Sequence, residues 1–277
     1  ASSNWLYQSW SNVYWDMNFR INMGGSGTYF QGASGVTVGG DLHANTIDSV
    51  TVSGDAYYQS INNATAANYY PGSTDPSQTD FPISNAQITQ WKDEALNGGV
   101  HTGNYTACGT SIGPLKIEGD LILWNNCDVT VTGTLYVDGI IDIRSGSSLV
   151  LDSSFGGNGG VVVSSEHIRL ETSAAVTGSG NGDSYMLLIS EGVGPSPTRE
   201  AIEIRTGDVN IDDVILFAPN GTVKIFQGGA TLLELAGKKI EIADNVGLVY
   251  EQGLANATFA AGGDSAWEMR DGTWLKF

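Results

Sequence analysis

Short runs of alternating apolar and polar residues occupy most of the chain from residue 36 onward. Examples are Val-Thr-Val at 129–131, Ile-Asp-Ile at 141–143 and Ile-Glu-Ile at 202–204, and glycine, aspartate and asparagine separate such runs. Alternation with a period of two puts successive side chains on opposite sides of the backbone, which is typical of a β-strand with one buried face. From 112 to 252 the pattern predicts nearly continuous strand and turn.

These strands are too short and too regularly interrupted for the common alternatives. A doubly wound α/β fold needs crossover helices, and an immunoglobulin-like sandwich has longer strands joined by hairpins. Similar apolar runs, such as those at Val161 and Met186 or at Val223 and Ile240, recur after roughly 17 to 28 residues, as in a repeating coil. We therefore expect an all-β fold, a single-stranded parallel β-helix (β-solenoid) over residues 36–277.

The sequence predicts one α-helix, at residues 84–97. Ser84 and Gln87 have the spacing of a capping box, in which each side chain hydrogen-bonds to the backbone of the other residue. Gly98 and the glycine after it end the helical pattern. Because an uncovered solenoid end exposes edge strands, we expect this helix to cap the end of the solenoid.

Residues 1–35 form an aromatic-rich N-terminal segment. The aromatic residues are Trp5, Tyr7, Trp10, Tyr14, Trp15, Phe19, Tyr29 and Phe30. Two interpretations remain open. The rings can plug the open end of the domain, which is the interpretation we favour, or they can form an exposed surface that stacks against sugars. In the second case Trp5, Trp10 and Trp15 are the candidate glycan contacts.

Composition adds a strong acidic bias. The 277 residues include 12 Lys and Arg against 30 Asp and Glu, a net charge of −18. Such a surface repels phosphate backbones, so we expect no nucleic-acid partner. It favours solubility and is compatible with basic partners or divalent cations. The sequence also lacks the run of about 18 apolar residues that a membrane-spanning helix needs, so we expect no membrane span in this chain.

Two cysteines, Cys108 and Cys127, lie about one coil apart in the sequence. Neighbouring coils of a solenoid are about 4.8 Å apart, which is within reach of a disulfide. If the protein is exported, we expect these cysteines to form a disulfide, and two buried free thiols are the alternative.

Several motifs resemble those of uncharacterised exported β-helix proteins from candidate-phyla bacteria. The stretches that carry the resemblance are Phe-Pro-Ile-Ser-Asn-Ala-Gln-Ile at 81–88, Gly-Pro-Leu-Lys-Ile-Glu-Gly-Asp-Leu at 113–121, Val-Thr-Gly-Thr-Leu-Tyr-Val at 131–137, Leu-Phe-Ala-Pro-Asn-Gly-Thr-Val at 216–223 and Tyr-Glu-Gln-Gly-Leu-Ala-Asn-Ala-Thr-Phe at 250–259. Members often carry a pilin-like helix before the β-helix, and it stays open whether such a helix precedes Ala1 in the native protein. The resemblance implies a fold and a surface location, and it supplies no catalytic residues. More loosely, the pattern is similar to polymerising β-helices of the bactofilin type.

The enzymatic alternative is a polysaccharide lyase or hydrolase of the β-helix type. Such an enzyme needs carboxylates about 5 to 10 Å apart on one exposed strand face, and a lyase also needs a basic residue near them. The candidate acids are Asp120, Asp138 and Asp142; Glu166 and Glu171; and Glu203, Asp212 and Asp213. The candidate bases are Arg144, Arg169 and Arg205. Outward charges on strands are usually solvated side chains without a catalytic role, so we expect no catalytic residues.

Metal and cofactor sites are weakly indicated. His43, His101 and His167 are far apart and lack the spacing of metal ligands. Oxygen ligands at 181–183 and 210–213 make calcium possible, although neither stretch has the spacing of a calcium-binding loop. We expect no other cofactor.

Together these observations predict a non-enzymatic extracellular structural protein at the cell surface. Its role is that of a filament or pilus-associated subunit or an adhesin, with self-association or other surface proteins as partners. The alternative is a β-helix protein that binds or cleaves polysaccharide.

Overall fold

The computed structural model describes residues 41–74, 83–106, 108–193, 199–205, 208–211 and 213–226, and outside these ranges the backbone of several short strands. This part of the chain is mostly β, with parallel strands in its sheets and one α-helix. The all-β prediction is confirmed at this level.

The structure has the following strands and helices. Before the α-helix the strands are β1 (Trp5–Gln8), β2 (Ile21–Asn22), β3 (Tyr29–Gln31), β4 (Thr37–Val38), β5 (Leu42–His43), β6 (Thr46–Asp48), β7 (Thr51–Val52), β8 (Asp55–Tyr58), β9 (Ser60–Asn62) and β10 (Asn68–Pro71). Helix α1 (Asn85–Gly98) is followed by β11 (Val100–Thr102), β12 (Thr110–Ile112), β13 (Leu115–Glu118), β14 (Leu121–Leu123), β15 (Asp128–Val131), β16 (Leu135–Val137), β17 (Ile141–Ile143) and β18 (Ser148–Leu151). After the 3-10 turn Ser153–Phe155 come β19 (Gly160–Ser164), β20 (Ile168–Leu170), β21 (Ala175–Thr177), β22 (Met186–Ser190), β23 (Ile202–Ile204) and β24 (Val214–Ile225). The last strands are β25 (Thr231–Leu232), β26 (Glu234–Ile242), β27 (Gly247–Leu248), β28 (Thr258–Ala260) and β29 (Ala266–Glu268).

From β11 onward the strands stack in three parallel columns. The first column is β11, β13, β16, β19 and β22; the second is β14, β17, β20 and β23; and the third is β12, β15, β18 and β21. The chain visits the columns in turn, so that β13, β14 and β15 are followed by β16, β17 and β18, which pair with them in parallel. The long strands β24 and β26 belong to two columns at once: the first half of each strand extends the first column, and the second half extends the second column.

The N-terminal strands extend the same sheet beyond β26. Strand β26 pairs in parallel with β1, and β3, β6 and β9 follow in that order. Strands β11 and β9 are therefore the two edge strands of one parallel sheet, at its opposite ends. The residues predicted as a separate segment, 1–35, thus contribute β1 and β3 to the main sheet.

The separation between stacked residues varies along the chain. Hydrogen-bonded neighbours in adjacent layers are 14 residues apart for Asn62 and Asp48, 20 for Ser148 and Asp128, and 27 for Arg169 and Asp142. The predicted match of Val223 with Ile240 is confirmed, whereas Val161 pairs with Leu187, one residue beyond the expected Met186. Insertions at the corners between strands change the separation without disturbing the columns.

Alternation along the strands builds the core, as the pattern predicts. In β16, Leu135 and Val137 are fully buried, and Tyr136 between them lies on the outer side. Each fully buried side chain of this kind stabilises the fold by about 1.5 to 3 kcal/mol relative to exposure to water. At a corner between strands, a Cβ on Gly113 would lie 2.5 Å from the carbonyl oxygen of Gly133 in the next layer, so the backbones there approach too closely for a side chain.

Helix α1 begins as predicted but lies elsewhere. The capping box is present, with the Gln87 amide donating to the Ser84 hydroxyl at 3.2 Å. The helix contacts the outer faces of β13, β16 and β19, and Trp91 is buried there with Val161 and Val163. The expectation that the helix caps the end of the stack is therefore wrong. It covers the flank, because β19 and β22 are apolar on both faces and need a cover on the outside.

Candidate functional site

The solvent face of the second column carries the most organised group of polar side chains. The four strands β17, β20, β23 and the end of β24 share a pattern in which an apolar residue alternates with a charged or aromatic one, from Ile141-Asp-Ile-Arg to Val223-Lys-Ile-Phe. The apolar residues point into the core, so the others stack outside in two rows. The central row is Asp142, Arg169, Glu203 and Lys224, and the corner row is Trp124, Arg144, Glu171, Arg205 and Phe226.

The centre of this face is a buried ion pair between Asp142 and Arg169. Asp142 is only 2% exposed, and Arg169 donates to it from Nε at 2.8 Å to Oδ1 and from Nη2 at 2.7 Å to Oδ2. Arg144 adds a third hydrogen bond, from Nε to Asp142 Oδ2 at 3.0 Å. Each carboxylate oxygen thus has a charged donor, which a buried carboxylate needs.

The charges and hydrogen bonds around Asp142 determine its protonation state. Burial alone raises the pKa of Asp142, but the hydrogen bonds and positive charges of Arg169 and Arg144 more than offset burial, so the pKa of Asp142 lies below its usual value. The hydrogen bond with Asp142 in turn raises the pKa of Arg169. Asp142 therefore stays ionised at neutral pH and has no proton to donate as a general acid.

The corner row is more open, and its described part has an aromatic ring on either side of the charged residues. Arg144 stacks over the ring of Trp124 at 3.8 Å, and Trp124 is 50% exposed. At the other end, Arg205 and Lys224 lie 5.6 and 4.9 Å from the ring centre of Phe226. Such cation–π contacts are worth about 0.5 to 1 kcal/mol at exposed sites.

Charge alternates in both directions across this face. Along the central row the order is acid, base, acid, base, and in the corner row Arg144, Glu171 and Arg205 alternate in the opposite phase. Glu203, which is buried, accepts from Arg205 at 2.9 Å. Every charge on this face thus has a neighbour of opposite sign, so most of the face is electrostatically satisfied by itself.

The structure does not bring the predicted catalytic acids together. Asp120 accepts from the Ile140 amide at a corner, and Asp138 follows β16 of the first column, where it accepts from the Tyr136 hydroxyl. Asp142 and Glu203 share a face, but they are about 10 Å apart by strand spacing, with Arg169 between them. Asp212 lies outside the described residues.

Glu166 lies elsewhere, beside a shallow open cleft that Ser165, His167 and Glu191 help to line. The cleft has a volume of about 210 Å³, which is smaller than usual for ligand pockets. Glu191 is held there by an ion pair with Lys92 of the helix at 2.8 Å.

The three histidines have separate environments. His43 stacks on Tyr57 at 3.9 Å, His101 packs edge-on against Tyr105, and His167 contacts the Glu200 carbonyl oxygen through Nδ1 at 2.9 Å. Within the described ranges no group of three or more His, Cys, Asp or Glu residues has the geometry of a metal site. At the possible calcium stretch 181–183, the Asp183 amide donates to the Asn181 side chain, which is an ordinary turn.

The predicted disulfide joins two layers at one end of the sheet. Cys108 and Cys127 are bonded, with their Cα atoms 5.2 Å apart, and connect the segment that leads into β12 to the start of β15. Cys127 is buried and Cys108 is exposed. Of the predicted glycan contacts, Trp5 lies in β1, where only the backbone is described, and Trp10 and Trp15 lie outside the described residues.

The two ends of the sheet are exposed strand edges. We call them the β11 end, formed by β11, Tyr105 and β12, and the β9 end, formed by β9, Thr65 and β10. Val100 in β11 is 49% exposed, and all residues of β10 are exposed. At the β9 end the Ala66 amide donates to the Tyr69 hydroxyl at 3.0 Å, which satisfies one edge donor within the chain.

Sequence reasoning identified Asp142, Arg169 and the other arginines as charged strand residues, but it missed the aromatic residues Trp124 and Phe226 of the corner row. The sequence signal for this face is the same alternation of apolar and charged residues at 141–144, 168–171 and 202–205. Residues at equivalent positions of this motif lie next to each other on adjacent strands.

In the described part of the chain, no helix has the length and apolar character needed to cross a membrane. Comparisons with protein families, with characterised proteins and with solved structures give no match for this chain.

Proposed function

We propose that the protein is an extracellular, non-enzymatic β-helix that associates end to end as a surface filament subunit. The observation that carries this proposal is that β11 and β9 are the opposite ends of one parallel sheet. A parallel stack has the same strand direction throughout, so the β9 end of one copy is compatible with the β11 end of the next. Head-to-tail contacts give open fibres when the rotation between copies does not close a ring, as is expected when copies stack along the axis of the sheet.

The edge groups at the β11 end support this assembly. The amides of Gly103 and Tyr105 donate to the next layer, and the Gly99 carbonyl oxygen accepts from it. The alternate residues Val100 and Thr102 therefore direct their backbone groups toward the open edge. Unpaired edge strands of this kind are templates for pairing with another chain.

The flank supports a structural role over catalysis. The carboxylates on the second column are paired with arginine, and the helix covers the apolar flank of the first column. Hydrolysis of a glycosidic bond instead needs two carboxyl groups facing a substrate, one of them protonated.

The disulfide and the acidic composition support an extracellular location. Disulfides persist in oxidising compartments, and Cys108 is exposed to any reductant in the surroundings. A net charge of −18 keeps exported chains apart until a specific contact forms.

The test uses matched lysine substitutions. Val100→Lys places a charge on the β11 edge, and Val193→Lys places the same charge on the flank, where Val193 is 74% exposed. We expect the wild type and Val193→Lys to form filaments in negative-stain images and concentration-dependent oligomers in light scattering. Val100→Lys should remain monomeric with an unchanged circular dichroism spectrum.

A second variant tests the same edge without a charge. Thr102→Pro removes an amide that faces the open edge and leaves the bonds to β13 intact. Wild-type protein that stays monomeric at high concentration, or association that survives both edge variants, would overturn the proposal.

A further inference from the structure

The two arginines of the corner row, unlike Arg169 in the central row, have N–H donors that face solvent. In the described part of the chain, Arg144 and Arg205 each make one hydrogen bond, from Nε, to Asp142 and Glu203 respectively. Their terminal nitrogens have no protein acceptor there, and the Arg205 side chain is 42% exposed. A guanidinium carries five N–H donors in a fixed plane, so each arginine keeps a pair directed at solvent.

Aromatic rings hold both arginines in place. Arg144 is stacked on Trp124 and Arg205 lies against Phe226, so neither has to be ordered when a ligand binds. Ordering a long side chain otherwise costs about 0.5 to 1.5 kcal/mol of binding free energy. The exposed ring of Trp124 also offers an apolar surface beside the cation.

The spacing of charges is selective. Arg144 and Arg205 are two strand steps apart, or about 10 Å, with Glu171 on the strand between them. A carboxylate placed opposite Glu171 is repelled, whereas carboxylates opposite the two arginines are attracted. The row therefore suits an extended chain whose negative charges fall on alternate units.

We propose that the corner row binds a linear acidic polysaccharide that carries a carboxylate on every second sugar. Arg144 and Arg205 bind two successive carboxylates, Glu171 faces the uncharged sugar between them, and Trp124 packs against a sugar ring. This site is independent of the strand edges, so it does not rest on end-to-end association.

The overall charge of the protein sets the conditions for binding. The net charge of −18 repels a polyanion at long range, but at physiological ionic strength this repulsion is screened beyond about 8 Å. Four of the 12 basic residues lie on this face, namely Arg144, Arg169, Arg205 and Lys224. At this salt concentration the short-range attraction between the arginines and a carboxylate therefore outweighs the screened repulsion from the rest of the protein.

The experiment compares three polymers by isothermal titration calorimetry at physiological salt. Fragments of hyaluronan carry a carboxylate on alternate sugars, polygalacturonate carries one on every sugar, and dextran is neutral. We expect hyaluronan to bind more tightly than polygalacturonate, and dextran not to bind. Binding that is absent for hyaluronan, or equal for hyaluronan and dextran, would overturn the proposal.

Variants locate the site. Arg144→Gln or Arg205→Gln should each weaken hyaluronan binding about tenfold or more, as expected for loss of a charged hydrogen-bonding partner. Lys116→Gln is the matched control, because Lys116 is a paired cation on the first column, and it should change affinity by less than about twofold. Glu171→Gln should raise the affinity for polygalacturonate toward that for hyaluronan. An equal effect of Lys116→Gln, or an unchanged preference in Glu171→Gln, contradicts the assignment.

Discussion

Removing one partner of the Asp142–Arg169 pair is expected to destabilise the protein far more than removing both. In the variant Arg169→Leu, Asp142, which is 2% exposed in the wild type, loses two of its three charged donors. Breaking a buried ion pair from one side typically costs about 3 to 5 kcal/mol of unfolding free energy, because the remaining charge has no solvent. Arg144 still donates to Asp142 Oδ2, so the lower value, about 3 kcal/mol, applies here.

The double variant removes the cause of that loss. With Asp142→Leu added to Arg169→Leu, neither the buried carboxylate nor its partly buried partner remains, and two apolar side chains fill the space. Replacement of a buried pair by apolar residues is commonly close to neutral, so we expect the double variant to lie within about 1 kcal/mol of the wild type. The coupling energy between the two sites is then at least about 2 kcal/mol, as befits groups in direct contact.

Urea unfolding followed by far-ultraviolet circular dichroism measures these differences, provided that the dependence on urea is the same in every variant. Glu171→Gln is the control, since Glu171 is a partly exposed carboxylate 3.5 Å from Arg169, and it should change the unfolding free energy by no more than about 0.5 kcal/mol. A loss below about 1 kcal/mol in Arg169→Leu, or a double variant as unstable as the sum of its single variants, would refute the reasoning.

Four further outcomes are expected. Folding lowers the pKa of Asp142, so the stability that its ion pairs contribute is complete above about pH 4, the pKa in the unfolded state. This stability is lost as the pH falls through the lower pKa of the folded state. The unfolding free energies of wild type and Asp142→Asn, measured by urea titration, should therefore converge at acidic pH, and a difference that stays constant with pH contradicts this. Replacing Cys108 and Cys127 by serine opens a loop of 19 residues and should cost about 3 kcal/mol, with faster hydrogen exchange at β11 and β12 as the local measure and unchanged exchange as the contrary result. Ser84→Ala removes the helix cap and should lower the unfolding free energy by about 1 kcal/mol, and Ser84→Thr, which keeps a hydroxyl, should lower it less. Tyr69→Phe frees the Ala66 amide at the β9 end and should strengthen end-to-end association in light scattering, whereas weaker association would mean that the hydroxyl itself makes the contact.

Much of the strand content follows from local sequence, because alternation acts residue by residue. Leu135-Tyr-Val and Ile202-Glu-Ile are strands in the structure as the pattern predicts, and the capping box at Ser84 fixes where the helix begins. The position of the helix does not follow in this way. It depends on the outward-facing residues of Val-Val-Val at 161–163, and an apolar run does not reveal which of its faces is covered from outside.

The sequence predicts which residues of the candidate site are charged, but it does not predict which of them lie next to each other. Asp142 and Arg169 are evident as charged residues within apolar strands, but they become partners only through a register of 27 residues. The 3-10 turn Ser153–Phe155 lies within that interval, and other layers have different insertions. No fixed period therefore predicts which acid stacks on which base, or that Trp124 and Phe226 lie in the same row.

The pairing of β1 with β26 has a consequence for how the chain acquires its structure. Tyr7 is paired with Glu241, so β1 finds its neighbour in a strand that is made much later during synthesis. Loop-closure entropy rises with the length of the enclosed chain, and long-range parallel pairing is slow. The stack after the helix grows from neighbours close in sequence and can form early. The contact between β1 and β26 must wait for that stack to be complete, so docking of the N-terminal strands onto it is expected to be the last and slowest step of folding.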